Sequence, residues 1–139
     1  MTVDCFLDSN IVLYAAAGRR GEEAKRARAM NLILAGNFGT SAQVLQEFYV
    51  NATRKIAEPL DKAVAVEWIE TLCQRPVVPI DPELVRIAID VSTRFQVSYW
   101  DGAILAAAET LGTTTLYTED LNAGQLYGKV RAVNPFLDS

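Results

Sequence analysis

Four acidic residues, Asp8, Glu47, Asp101 and Asp120, each stand where a strand-like run hands over to a helix, or on the first turns of a helix, in a chain that has no histidine. Open parallel α/β sheets bring such junctions together along one edge, where ligands of this architecture bind. Four carboxylates converging there repel one another, and a hard divalent cation with oxygen ligands is the simplest relief. Without histidine, carboxylate and water are the natural coordination set, which points to Mg²⁺ or Mn²⁺.

Each acid also has a structural explanation. Asp8 follows the apolar run Val3 to Leu7 and could cap the next helix, although Ser9 or Asn10 could do that and leave Asp8 free. Glu47 falls on the rim of an apolar stripe of Val44, Leu45, Phe48 and Ala52, in line with Asn51 and Arg54, and could be a surface glutamate paired with Arg54. Asp101 stands three residues after Ser98, the spacing of a capping box, and a first-turn carboxylate is also held ionised by the helix dipole. Asp120 lies in Thr118-Glu119-Asp120-Leu121-Asn122, with Glu119 as the obvious competitor for its role. Singly these acids are unremarkable; four at successive element starts of one sheet are harder to dismiss.

The elements that must position them can be read from apolar runs and caps. Val3 to Leu7 reads as a central strand, followed by a helix over Ile11 to Ala17 that Gly18 to Gly21 breaks. A helix over Glu22 to Ala35 is closed by Gly36, and Asn37 to Thr40 is a brief strand. Thr40 with Gln43, or Ser41 alone, starts a helix over Ala42 to Ile56 that Pro59 ends. Asp61 caps a helix to about Gln74, Val77 to Ile80 is a strand between prolines, and Pro82 opens a helix to Phe95. Ser98 to Leu111 is helical, Thr113 to Tyr117 is a β-branched strand, and Val130 to Val133 is the last strand. Strands alternating with helices or helix pairs imply an α/β fold with a parallel sheet.

At 139 residues the chain fits a single domain, residues 1–139, with no internal repeat. Half the residues are hydrophobic and 22% are charged, which excludes a disordered or low-complexity chain. Apolar stretches fall far short of the roughly 20 residues of a membrane span, and the amino terminus lacks a basic-then-apolar signal sequence, so the expected location is cytoplasmic. Cys5 and Cys73 are too few for a disulfide framework and read as buried thiols. The net charge of −4 argues against a large sequence-independent nucleic-acid footprint. Five basic residues, Arg19, Arg20, Lys25, Arg26 and Arg28, nevertheless fall close together, either as a solvated helix face or as a phosphate-contacting patch.

Phe6-Leu7-Asp8-Ser9-Asn10, Gln43-Val44-Leu45-Gln46-Glu47-Phe48, Ser98-Tyr99-Trp100-Asp101-Gly102-Ala103 and Leu116-Tyr117-Thr118-Glu119-Asp120-Leu121 resemble, in order and spacing, the four acidic motifs of PIN-domain ribonucleases. The likeness spans nearly the whole chain, and the small single-domain form is most similar to the VapC toxins of type II toxin–antitoxin pairs. The resemblance implies a three-layer α/β/α fold with a small, mostly parallel sheet. It further implies an endoribonuclease that hydrolyses RNA by metal-activated water, with Asp8, Glu47, Asp101 and Asp120 as a carboxylate cage and Asp8, Asp101 and Asp120 as ligands of Mg²⁺ or Mn²⁺. Asn10 and Thr118 match polar positions that hold ligands or water. Arg19, Arg20 and Arg26 are candidate RNA contacts. A cognate antitoxin that blocks the site and a homodimer through Glu22 to Ala35 and Asp61 to Gln74 complete the expectation; Trp68 and Leu72 are either apolar anchors of that interface or, as the favoured reading, core residues.

Two other classes use similar acids. A flap-type DNA nuclease shares the acidic cage. A receiver-like regulatory module also gathers acids and Mg²⁺ at strand ends, but it needs a late lysine after a strand, and Lys129 is a poor match.

Overall fold

The short apolar runs become strands β1 (Cys5–Leu7), β2 (Phe38–Ser41), β3 (Val77–Val78), β4 (Thr115–Tyr117), β5 (Leu126–Tyr127) and β6 (Val130–Val133) in a computed structural model that describes residues 3–137. They form one sheet in the order β3-β2-β1-β4-β6-β5, parallel throughout except for the β5–β6 pair. The helices are α1 (Ser9–Ala17), α2 (Glu23–Ala35), α3 (Ala42–Val50), α4 (Lys62–Leu72), α5 (Pro82–Phe95) and α6 (Tyr99–Thr110). The architecture is therefore α/β, with a mostly parallel central sheet and flanking helices.

Packing follows the burial pattern of the sequence. Phe6 and Leu7 of β1 are fully buried, as central-strand residues covered on both faces must be. Helix α1 packs on α2 and α3, and α3 on α4, while α5 lies along α6, which itself contacts β2, β4 and β6. Every residue from Gly102 to Ala108 is buried, so the middle of α6 is enclosed on all sides. A methyl group on Gly102 would lie 2.7 Å from Ser92 Cβ and 2.9 Å from the Ala88 carbonyl, so the missing side chain lets α6 press against α5 directly after Asp101. Gly36 closes α2 in the left-handed region at φ 79°, where a Cβ is disfavoured.

Several expectations need correction. The helix that starts at Ala42 does not run unbroken to Ile56: after Val50 it widens into a π-helical turn over Asn51–Lys55, and the chain is already extended at Ile56, before Pro59. Ser41 rather than Thr40 caps α3, accepting from the Val44 amide at 3.3 Å, because the Thr40 hydroxyl donates to the Leu7 carbonyl at 3.0 Å. Asp61 precedes α4 but makes no side-chain capping bond. Strand β5 was not expected. Cys73 is exposed and Cys5 only partly buried, against the expectation of two buried thiols. For Leu72, fully buried, and Trp68, partly buried against the core, the favoured reading of core packing holds instead.

Candidate active site

The chain leaves β1 toward β2 and β3 on one side and returns to place β4 on the other, so a topological switch point lies beside the carboxyl end of β1. Crevices at such points are where open α/β sheets bind ligands. Asp8 stands there, its amide donating to the Tyr117 carbonyl at 3.1 Å. Only 4% of Asp8 is exposed. Its Oδ1 accepts from the Ser9 amide at 2.7 Å, so Asp8 itself caps α1, and the idea that Ser9 or Asn10 would relieve it of that job is wrong. Its Oδ2 accepts from the Thr118 hydroxyl at 2.7 Å, and Thr118 Oγ1 in turn accepts from the Asp120 amide at 3.1 Å. Burial pushes the Asp8 carboxyl up to about 7; the bonds from Thr118 and Ser9 pull it back, and the charges of Asp120 and Glu47 raise it by smaller amounts.

A polar chain continues from Asp8 across the site. Ser9 Oγ donates to Glu47 Oε1 at 3.2 Å, and Gln43 Nε2 donates both to Glu47 Oε2 at 3.3 Å and to the Trp100 carbonyl at 3.2 Å. Glu47 is thus held by α1 and by its own helix, and it is not the surface partner of Arg54. Gln43 links that carboxylate to the first turn of α6, next to Asp101. The capping box there is only half formed: Ser98 Oγ accepts from the Asp101 amide at 3.0 Å, while the Asp101 carboxylate makes no returning bond. The pKa of Asp120 is raised by partial burial first, by the charge of Asp101 second and by that of Glu119 third.

Glu119 and Asp120 separate cleanly. Glu119 accepts from Tyr14 Oη at 2.9 Å and Lys25 Nζ at 3.1 Å, which removes it from competition. Asp120 lines an open cleft of about 440 Å³ with Ser9, Glu47, Asn51 and Lys55. Lys55 was not foreseen. At about 100° per residue it lies roughly 80° around the helix from Glu47; the π-turn advances each residue through a smaller angle and brings it back to the cleft. Arg19 lines a smaller hollow of about 180 Å³ that shares Asn10 with the site region, while Arg20 and Arg26 are exposed and line neither space.

The fit to a divalent cation can be judged from the donor atoms. Among the described residues no three acidic or thiol side chains stand close enough together to hold a metal ion by themselves, so a cation here would rely on one or two carboxylates and water. The four acids repel, and both oxygens of Asp8 and of Glu47 are already engaged by hydroxyl, amide or backbone donors. The buried Asn10 Oδ1 and Nδ2 have no hydrogen-bond partner, though the amide leans close enough to Asp120 to hold its pKa down. Oxygen donors of this kind suit a hard cation such as Mg²⁺, which keeps several waters and binds through one or two carboxylates.

Known proteins share this fold. Among curated proteins, none matches the sequence. A toxin–antitoxin complex from Klebsiella pneumoniae superposes with a TM-score of 0.70 at 17% identity, covering 96% of this chain and 98% of that one. Mycobacterium tuberculosis VapC20, described as a Sarcin-Ricin loop cleaving toxin, gives 0.64 at 22% identity over 84% and 90% of the two chains. VapBC2 from Rickettsia felis, bound to a promoter DNA fragment, gives 0.64 at 15% identity over 95% and 98%. At these identities the structures share the fold. The strand order also differs from the flavodoxin-like order of receiver modules, and Lys129 sits exposed between β5 and β6 rather than after a parallel strand. The PIN domain family matches residues 5–129, and the chain belongs to that family.

Proposed function

We propose that the protein is a metal-dependent endoribonuclease and the toxin of a toxin–antitoxin pair. The observation that carries this reading is that, in a PIN-family chain, buried Asp8 at the carboxyl end of β1 is linked through Ser9 to Glu47 and through Thr118 to the turn of Asp120, and Glu47 and Asp120 line one open cleft there. Asp8, Asp101 and Asp120 would hold Mg²⁺ or Mn²⁺, which supplies activation of water and neutralisation of phosphate charge. The protein's own groups prepare the site. Ser9 and Gln43 fix Glu47, Thr118 joins Asp8 to the turn that carries Asp120, and Lys55 places a positive charge where an RNA phosphate would enter. Arg19 is the best placed of the arginine candidates.

The partners follow from the same reading. Several structural neighbours are toxin–antitoxin complexes, some with DNA, which supports a cognate antitoxin here. A homodimer through α2 and α4 is supported by the 74% exposure of Leu34 beside a hollow lined by Met30, Ile33 and Trp68. Among the described residues no helix is long and apolar enough to cross a membrane, in keeping with a cytoplasmic RNA target. The test is cleavage of a labelled total-RNA pool with Mg²⁺, Mn²⁺ or EDTA, with Asp8→Asn as the control for contaminating nuclease. Metal-dependent cutting that disappears in the variant supports the proposal. Cutting that survives Asp8→Asn, or none with either metal, counts against it.

A further inference from the structure

Lys25 belongs to the basic run between Arg19 and Arg28, yet its partly exposed ammonium is paired with neighbouring side chains of this chain. Nζ donates to Tyr14 Oη at 3.2 Å and to Glu119 Oε2 at 3.1 Å, while Tyr14 Oη donates to Glu119 Oε1 at 2.9 Å. Both oxygens of Glu119 are therefore held, in bonds strengthened by charge. The ammonium also lies 4.9 Å from the centre of the Tyr14 ring and 5.5 Å from that of Phe136, and the two rings meet edge to face at 5.0 Å. Four segments meet at this one lysine: α1, α2, the turn after β4 and the carboxyl-terminal stretch. Tyr14 is one helical turn beyond Asn10, and Glu119 immediately precedes Asp120. The network thus ties together the segments that carry Asp8 and Asp120.

We propose that Lys25 is a positioning residue of the active site, which holds Glu119 against α1 so that Asp120 is the one acid of that turn left facing the cleft; the inference rests on the nuclease reading above. The turn offers two adjacent carboxylates and the cleft uses one. A released Glu119, whose charge Asp120 already feels, would lose its neutralising partner and could swing toward the cleft where substrate phosphate must approach, and the turn itself would be free to shift. Lys25 contributes by occupying Glu119, to which its ammonium is committed.

The test compares wild type, Lys25→Met, Lys25→Arg and the double variant Lys25→Met/Glu119→Gln. It reads kcat and KM for RNA cleavage and, without RNA, the rise in Tm that Mg²⁺ produces in metal-free protein. Lys25→Met should lower kcat about tenfold with KM within about twofold of wild type, and should shrink the Mg²⁺-induced rise. Lys25→Arg should keep both readouts near wild type. The double variant should recover to within about threefold, because the released side chain no longer carries charge, so the two substitutions are strongly non-additive. Where Lys25→Met does not fold, Lys25→Gln takes its place, since it retains a donor for Tyr14. A raised KM with an unchanged Mg²⁺ response and no rescue by Glu119→Gln would make Lys25 an RNA contact and overturn the proposal. Wild-type protein with both readouts, matched by Lys25→Met, sinks the proposal alone; wild-type protein with neither refutes the nuclease reading and takes the proposal with it.

Discussion

Replacing Asp8 with asparagine should stabilise the metal-free protein while destroying its proposed activity, and the size of the gain can be worked out. Burial pushes the folded-state pKa of Asp8 from an ordinary 3.8 up to about 7. A carboxyl whose pKa is raised on folding favours the native state most below its unfolded pKa, and that contribution is lost as pH rises through the folded value. At about 1.36 kcal/mol per pH unit, the interval corresponds to about 4 kcal/mol of destabilisation once Asp8 is fully ionised. Asparagine carries no such cost. Its Oδ1 can still accept from the Ser9 amide, and the Thr118 hydroxyl can rotate to accept from Nδ2. Other acids titrate in both proteins, so the difference between them isolates Asp8. Urea unfolding in EDTA at steps from pH 4 to pH 8 should show the stability of Asp8→Asn relative to wild type growing by about 1.4 kcal/mol per pH unit and levelling off above pH 7 at about 4 kcal/mol. Adding Mg²⁺ should narrow the gap, since it binds wild type preferentially. A difference that stays flat from pH 4 to pH 8 would refute the argument that a buried carboxylate is held against its own desolvation.

Further substitutions probe the positioning of the acids and the basic residues around them. Gln43→Leu leaves Glu47 Oε2 and the Trp100 carbonyl without their donor; it should cost about 1–3 kcal/mol in urea denaturation and lower kcat by at least about tenfold. Gly102→Ala forces a methyl into Ser92 and the Ala88 carbonyl; it should cost about 1–3 kcal/mol, and adding Ser92→Gly should recover only part of the loss because the carbonyl contact remains. Neutralising Arg19 should reduce the salt dependence of RNA binding by about 0.7 in the log–log slope, whereas Arg20→Gln and Arg26→Gln should leave it unchanged.

The parts of the site legible in the sequence are those where one local signal does two jobs. Phe6-Leu7-Asp8 reads as a strand end because a buried β-run must stop at a charge, and the same aspartate caps the helix that follows. Ser98 and Asp101 are separated by the spacing that a cap imposes, and the half-formed box leaves the Asp101 carboxylate free for the site. What escaped reading depends on contacts distant in sequence. Choosing between Glu119 and Asp120 requires Lys25 and Tyr14, which lie about a hundred residues away. The role of Gln43 requires the Trp100 carbonyl, and Lys55 reaches the cleft through a π-turn that no periodicity announces. Strand β5 is two residues long and is held by its pairing with β6 and by Tyr127 against Phe95, neither of which leaves a local pattern. Tyr127 matters to the site all the same: its hydroxyl accepts from the Asn122 amide and anchors the turn that carries Asp120.

The central claim is that four carboxylates from four parts of the chain act as one hydrolytic site. The measurement that tests it most directly is the rate of Mg²⁺-dependent RNA cleavage by Asp8→Asn, Glu47→Gln, Asp101→Asn and Asp120→Asn on one substrate, beside Asp90→Asn, an exposed acid of α5. The account predicts losses of about 100-fold or more for each of the four, with folding intact, and a rate within about twofold of wild type for Asp90→Asn. A wild-type rate in any of the four, or an equal loss at Asp90, would contradict it.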